Sequence, residues 1–273
     1  MDRFAVIGQP VAHSLSPQIH EGFGQQLGIS LSYEKIEVAA ESFTESLARL
    51  HAEGYRGLNV TLPHKLAALA AATEVMPRAR LAGAANVLTR LESGWRADNT
   101  DGDGLIRDLR DNHWLNPSGQ RVLLLGAGGA ARGVLKPLLD AQPAVLVISS
   151  RTPWNVEKLA EEFKSHGPIR PSTHVALKGE QFDLIINATS AGHEGAMPRL
   201  PDGVMKEGGA CYDLSYGKAF EPFRDWALSH GARVVADGLG MLVEQAASSF
   251  EIWHGRRPPT APMVGALRTL RAA

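Results

Sequence analysis

Two groups of residues in this chain have the types and spacing that chemistry requires, and the more specific is a glycine-rich turn. In R-V-L-L-L-G-A-G-G-A-A-R-G-V-L, Arg121–Leu135, an apolar run leads into glycines and then into a helix-forming stretch. A strand before and a helix after is the context a dinucleotide site needs. Gly126 allows the tight turn, Gly128 lets backbone approach a pyrophosphate with no Cβ in the way, and Ala131 is small enough for close helix–sheet packing. Ala127, Gly129 and Ala130 complete the turn, and amides at the helix start would meet the phosphates. The next strand ends V-I-S-S-R-T-P-W-N, with no acidic residue between Asp140 and Glu157 to accept hydrogen bonds from an adenosine ribose. Arg151 stands where a guanidinium could pair with a 2′-phosphate, and Ser150 and Thr152 could add hydroxyl donors. The cofactor expected is NADP(H). The plainer readings are a glycine turn that only packs tightly and an arginine solvated at a helix start; the flanking elements and the missing carboxylate weigh against both.

The second group lies in the first half: H-S-L-S-P (His13–Pro17), N-V-T-L-P-H-K (Asn59–Lys65), A-G-A-A-N (Ala82–Asn86) and D-N-T-D-G (Asp98–Gly102). All fall near strand ends, where open α/β sheets bind ligands. Singly, each has a plain reading. Ser14 or Ser16 suits a helix cap, Asn59 and Asn86 suit turns, and Lys65 suits a solvated helix face. His64 reads as packing or surface. Their joint occurrence carries the argument.

Elements must hold these groups in place. Strands are expected at Arg3–Ile7, Ser32–Val38 and Gly57–Val60, helices at Ser16–Leu27 and Ser42–Glu53, with Ser42 and Glu45 as a capping box. Asn86–Thr89 and Trp95–Ala97 read as a hairpin. The pattern restarts after Asp111–Gln120: strands at Arg121–Leu125, Ala144–Ser149, Thr173–Ala176, Phe182–Ile186, Gly209–Asp213 and Arg233–Val235, with helices at Gly129–Leu139 and Trp154–Phe163. Helices at Met241–Trp253 and Pro262–Leu270 close the chain. Such alternation implies an α/β fold with parallel or mixed sheets.

At 273 residues the chain suits two domains rather than one core. Lys plus Arg of 28 against Asp plus Glu of 29 gives no reason to expect nucleic acid or an anionic membrane as partner. The single cysteine, Cys211, lies in an apolar stretch and reads as a buried thiol. The histidines show no ligand-like cluster, so no metal is expected. The N-terminus lacks the marks of a signal peptide and no run reaches the roughly 18 apolar residues of a membrane span, which suggests a cytoplasmic address.

Taken in order and spacing, these motifs, with N-A-T-S (Asn187–Ser190) and D-G-L-G-M-L-V-E-Q-A (Asp237–Ala246), resemble those of shikimate dehydrogenases from the first strand to the last helices. The resemblance implies an N-terminal substrate domain with a mixed, mainly parallel sheet, residues 1–102 plus 239–273, and a Rossmann-like NADP domain, 103–238. The C-terminal helices would return to the first domain. It implies NADPH-dependent reduction of 3-dehydroshikimate to shikimate on the route to chorismate and the aromatic amino acids. Lys65 and Asp101 would form the catalytic pair, and Ser14 and Ser16 would hold the substrate carboxylate. Asn59, Thr61, Asn86 and Gln245 would bind ring hydroxyls, with Tyr216 near the substrate. Thr189, Ser190, Leu214 and Gly238 would flank the cofactor. A protonated lysine suits the reaction because it can stabilise a nascent alkoxide and deliver a proton to it. A small-molecule substrate and a monomer or homodimer are the partners expected.

The chain departs from the family pattern at Ser150, where asparagine is usual, and Pro153-Trp154-Asn155 brings no second cation to the phosphate loop. D-L-S-Y stands for the usual D-M-x-Y, and Glu221 for a usual threonine. A quinate/shikimate dehydrogenase paralogue is the near alternative, and a non-catalytic metabolite sensor on the same scaffold the distant one.

Overall fold

The computed structural model describes residues 1–272, in two compact units: residues 1–104 with the chain from Leu242 onward, and Leu105–Met241. The first unit runs β1 (Asp2–Gly8), α1 (Ser16–Leu27), β2 (Leu31–Glu37), α2 (Phe43–Ala52), β3 (Gly57–Val60), α3 (Lys65–Ala71), β4 (Glu74–Val75), α4 (Pro77–Ala82), β5 (Val87–Arg90) and β6 (Trp95–Asp98), and reaches α5 (Asp101–Arg107). Its sheet has the order β2-β1-β3-β5-β6-β4. The β1 strand is parallel to β2 and β3, while β5 is antiparallel to β3 and β6. The mixed sheet expected from the sequence is present.

Buried residues occupy both faces of β1, so its sequence reads as a continuous apolar run rather than an alternating one. Ala5 and Ile7 join Leu47, Leu50, Leu58 and Trp95 in one core. Phe4 and Val6 point to the other face, where Trp253, from the penultimate helix of the chain, stacks on Phe4 at 4.8 Å between ring centres. A Cβ on Gly57 would come within 2.3 Å of that indole, so this close approach of helix to sheet requires glycine.

The second unit continues with β7 (Arg121–Leu125), α6 (Gly129–Asp140), β8 (Val145–Ser150), α7 (Pro153–Phe163), β9 (Ile169–Thr173), β10 (Phe182–Asn187), β11 (Met205–Asp213), α8 (Glu221–Ser229) and β12 (Val234–Ala236). Then α9 (Leu239–His254) carries the chain back to the first unit, which α10 (Ala261–Ala272) completes. Every neighbouring pair in this sheet is parallel, in the order β9-β8-β7-β10-β11-β12. This is the doubly wound dinucleotide-binding order, which reverses between β7 and β10 and opens a crevice beyond their C-terminal ends. Cys211 is buried in its core, where desolvation pushes the thiol up to about 12.

Three sequence expectations need correction. Ser42 and Glu45 form no capping box: a short 3₁₀ turn, Ala40–Ser42, leads into α2, and the Ser42 hydroxyl donates to the Ala39 carbonyl at 3.3 Å. The strand expected at Thr173–Ala176 lies earlier, as β9, and Val175–Leu177 is a turn of 3₁₀ helix. The strand contains Pro171, which is tolerated because β9 is an edge strand, where a missing N–H costs no ladder bond. Helices α3, α4 and α8 were not expected. They span seven, six and nine residues, too few for a clear helical period.

Candidate active site

In the first unit, four chain segments meet at one edge of the sheet. Parallel β1 and β3 end there, β5 begins there, and β6 ends there because it runs antiparallel to β5. Lys65 opens α3 and Asp101 opens α5. Lys65 Nζ donates to Asp101 Oδ2 at 2.5 Å, with 19% of the lysine side chain and 8% of the aspartate accessible to solvent. The pair is reachable but largely shielded, so its attraction is far less screened than on an open surface.

Asn86 is the hub of the site. Its Nδ2 lies 2.9 Å from Asp101 Oδ1, 3.0 Å from Gln245 Oε1 and 3.0 Å from Thr100 Oγ1. Its Oδ1 accepts from the Thr100 N–H at 2.8 Å. Gln245, in the returning helix α9, therefore joins a cluster built more than 140 residues earlier in the chain.

Asn59 lies below this hub, buried and fully engaged. The Tyr33 hydroxyl donates to its Oδ1 at 2.7 Å, and its Nδ2 faces the Asn86 carbonyl at 3.2 Å and Ser249 Oγ at 3.0 Å. Both amide hydrogens have partners within the protein, which leaves one lone pair on Oδ1 for a ligand. Burial pushes the Tyr33 phenol well above its usual range, against the pull of the Ser16 hydroxyl. Neither Ser14 nor Ser16 is the residue before the helix: that place belongs to Leu15, and Ser14 Oγ donates to Ser16 Oγ at 3.1 Å. The two hydroxyls thus sit side by side at the start of α1. Thr61 is fixed through its N–H on the Ile7 carbonyl, and its side chain leaves no room for a Cβ on Gly8.

His64 is a packing residue. It is buried, stacks on Phe43 at 4.7 Å, and its Nε2 contacts the Val38 carbonyl at 2.6 Å. The sequence reading missed Tyr33, Thr100 and Ser249. Tyr33 looks like an ordinary strand aromatic, and Ser249 sits in an apolar helix. The signal available for Ser249 was its place four residues after Gln245, one turn along the same face.

The second unit gathers its own candidates beyond the C-terminal ends of its parallel strands. Gly126 has φ of +110°, and an added Cβ would lie 2.9 Å from the Ala188 carbonyl oxygen, so fold alone demands glycine. Gly128 and Gly129 are different: a Cβ on either meets nothing within 4 Å. With Ala127 and Ala130, they leave open space before the first amides of α6, which suits a pyrophosphate. Ala131 is buried beneath the turn.

The loop after β8 turns on its own serine. Ser150 Oγ donates to the Thr152 carbonyl at 2.8 Å and accepts from the Thr152 N–H at 3.2 Å. Arg151 is exposed on that loop. His174 faces it with its pKa lowered, first by burial and then by the Arg151 charge, and its Nδ1 lies 2.9 Å from Ser149 Oγ. These residues fit a dinucleotide with a 2′-phosphate: an exposed guanidinium, hydroxyls, and no carboxylate at the strand end.

Asn187 orders the next loop. Its Oδ1 accepts from the Thr189 N–H at 3.1 Å and hydroxyl at 2.8 Å, and its Nδ2 donates to Asp213 Oδ2 at 2.8 Å. Asp213 also accepts from the Ser215 N–H at 2.8 Å, yet burial pushes its carboxyl up to about 6. Ser190 is exposed beside Thr189. A Cβ on Gly238 would lie 2.1 Å from the Leu214 carbonyl oxygen, so these two candidates are in close backbone contact. Tyr216 stands just before the 3₁₀ turn Gly217–Phe220.

The chain resembles known proteins over nearly its whole length. Family profiles match along the chain: a shikimate dehydrogenase substrate binding domain over residues 6–88, a shikimate/quinate 5-dehydrogenase over 110–198, and a shikimate 5′-dehydrogenase C-terminal domain over 238–268. A shikimate dehydrogenase (NADP(+)) from Nitrosospira multiformis is 47% identical, covering 98% of both chains. The crystal structure of an Ael1 enzyme from Pseudomonas putida has a TM-score of 0.91 at 42% identity, over 98% of each chain. A shikimate 5-dehydrogenase from Thermus thermophilus, solved in complex with NADP(H) and shikimate, has a TM-score of 0.84 at 35% identity, over 98% of this chain and 99% of that one. Three family profiles along the chain and 47% identity over nearly its full length show that the chain belongs to the shikimate dehydrogenase family.

Proposed function

We propose that this chain is an NADP-dependent shikimate dehydrogenase, reducing 3-dehydroshikimate reversibly to shikimate on the route to chorismate. The observation that carries the reading is the shielded Lys65–Asp101 pair tied through Asn86 to Gln245. The first unit would bind the substrate and the second the cofactor. The bound NADP(H) supplies or accepts the hydride. In reduction, Lys65 Nζ gives a proton to the oxygen of the former carbonyl; in oxidation, it takes that proton back. Asp101 holds the ammonium in place through Oδ2, while Oδ1, which accepts from Asn86, has a further lone pair for a substrate hydroxyl. Ser14 and Ser16 present paired hydroxyls to the carboxylate. Thr61, Asn86 and Gln245 fix the ring hydroxyls, while Asn59, with its amide hydrogens engaged, contributes one acceptor and holds Asn86.

On the cofactor side, the amides of Gly126–Ala130 would receive the pyrophosphate and Arg151 and Thr152 the 2′-phosphate. Ser150 would shape that loop. Thr189, Ser190, Leu214 and Gly238 would line the nicotinamide end, and Tyr216 would reach the substrate. Among the described residues no helix is long and apolar enough to cross a membrane, and a cytoplasmic enzyme acting on a small molecule, as monomer or homodimer, is the reading we favour.

The test is an assay of NADP+ and NAD+ against shikimate and quinate, following nicotinamide reduction. Shikimate with NADP+ should be the preferred combination. A preference for quinate with NAD+ would support the paralogue, and no turnover of shikimate with either cofactor would overturn the reading.

A further inference from the structure

Asp101 sits in a loop whose geometry is imposed from outside. The N–H groups of three successive residues are each held by a side chain: Asn99 by Asp98 Oδ1 at 2.8 Å, Thr100 by Asn86 Oδ1 at 2.8 Å, and Asp101 by Asn99 Oδ1 at 3.0 Å. The Asn99 amide is in turn anchored on the Ala84 carbonyl at 2.9 Å. The chain of support therefore begins at Asp98, a carboxylate only 6% exposed. Its partner is Arg78, at the start of α4. Arg78 Nε and Nη2 grip the two oxygens of Asp98 at 2.5 and 2.9 Å, and Nη1 reaches Asp103 Oδ2 at 2.5 Å. One guanidinium thus ties the residue that ends β6 to the first turn of α5, with Asp101 between them.

We infer that Arg78 is a positioning residue for the catalytic pair: its fork on Asp98 and Asp103 sets the loop that aims Asp101 at Lys65. The inference rests on the role proposed above for Lys65 and Asp101. The physical case has three parts. Three carboxylates within six residues repel one another, and the single charge of Arg78, bridged between the outer two, offsets part of that repulsion while the inner one faces Lys65. The planar guanidinium holds both oxygens of Asp98 and a third acceptor in a fixed plane, which a lysine ammonium cannot do. A nearly buried carboxylate that loses its partner must re-hydrate or move, and Asp98 carries the Asn99 N–H with it.

Displacement of a catalytic group by about 1 Å can cost on the order of a hundredfold in rate. Arg78→Lys, which keeps the charge and loses the fork, should lower kcat roughly tenfold, and Arg78→Ala on the order of a hundredfold. The Michaelis constant for NADP+ should not change, and both effects should persist well below the melting midpoint of each variant. Asp98→Asn should lower kcat in the same way, and the Arg78→Ala/Asp98→Asn double variant should be no slower than the poorer single one, because both break one link. Wild-type turnover in either Arg78 variant would overturn the inference. So would additive losses in the double variant, or an effect confined to the NADP+ Michaelis constant, which would make Arg78 a direct cofactor contact. If Arg78→Ala fails to fold, Arg78→Lys and Asp98→Asn decide. Wild-type enzyme in the same assay separates the two claims: shikimate turnover with NADP+ supports the proposed function whatever the Arg78 variants do.

Discussion

In the function proposed above, Arg151 and the loop that carries it would tell NADP from NAD. The Ser150 hydroxyl is engaged with Thr152 on both its donor and acceptor sides, so the guanidinium of Arg151 is the main group left to meet a 2′-phosphate. Arg151→Ala should raise the Michaelis constant for NADP+ far more than that for NAD+, and initial rates with both cofactors measure it. An equal rise for both would remove the 2′-phosphate contact from the account. At this scale the sequence was informative where residue types are unusual for their place: a lysine and an aspartate in polar motifs at strand ends, and an arginine where a carboxylate is customary. Tyr33, Thr100, Ser249 and Arg78 were not legible. Each has an ordinary type for its element, and only the folded chain shows that they hold Asn59, Asn86 and the Asp101 loop.

Among the elements, the turn between β7 and α6 separates two uses of glycine. Gly126 is required by its own backbone and by Ala188, whereas Gly128 has open space in front of it. Gly126→Ala should destabilise the second unit by about 1–3 kcal/mol through forced left-handed backbone and contact with Ala188, lowering its melting temperature. Gly128→Ala should leave the melting temperature near wild type and weaken NADP+ binding, as read by titration calorimetry. If both variants lose stability alike, Gly128 is a fold residue and the phosphate-facing role fails. Parallel strands buried on both faces, such as β7, announce themselves as apolar runs bounded by glycine. Strand β9, an edge strand with a proline inside it, lies earlier than expected, and α3, α4 and α8 are too short to show a period. Yet α3 and α4 begin with Lys65 and, one residue in, Arg78, so the elements hardest to read carry residues central to the site.

On the scale of the molecule, the return of α9 and α10 to the first unit covers the Phe4 face of its sheet with an aromatic cluster that includes two histidines. His20 stacks on Tyr33 at 4.4 Å, and burial, aided by the neighbouring His254, lowers its pKa to about 3. Burial likewise lowers His254. His20 is therefore neutral in the fold and takes up a proton when the unit opens below pH about 6.5. Stability should therefore fall as pH drops from about 6.5 towards 3, by at most about 1.4 kcal/mol per pH unit from His20. Denaturant unfolding at several pH values checks this, and His20→Leu should flatten the slope; a variant with the wild-type slope would show that His20 does not control it. The two-unit order and the return of the last helices were visible through the resemblance of separated motifs. The aromatic layer was not, because nothing local ties Trp253 to Phe4.

The central claim is that Lys65, held by Asp101, moves the proton to and from the substrate oxygen. Its most direct measurement is the turnover and shikimate affinity of Lys65→Ala, by steady-state kinetics with NADP+ and by titration calorimetry. General acid–base catalysis contributes about a hundredfold to ten-thousandfold, so kcat should fall at least about a hundredfold while the shikimate dissociation constant stays within about threefold of wild type. Wild-type turnover, or a loss of activity fully matched by lost shikimate binding, would contradict the account.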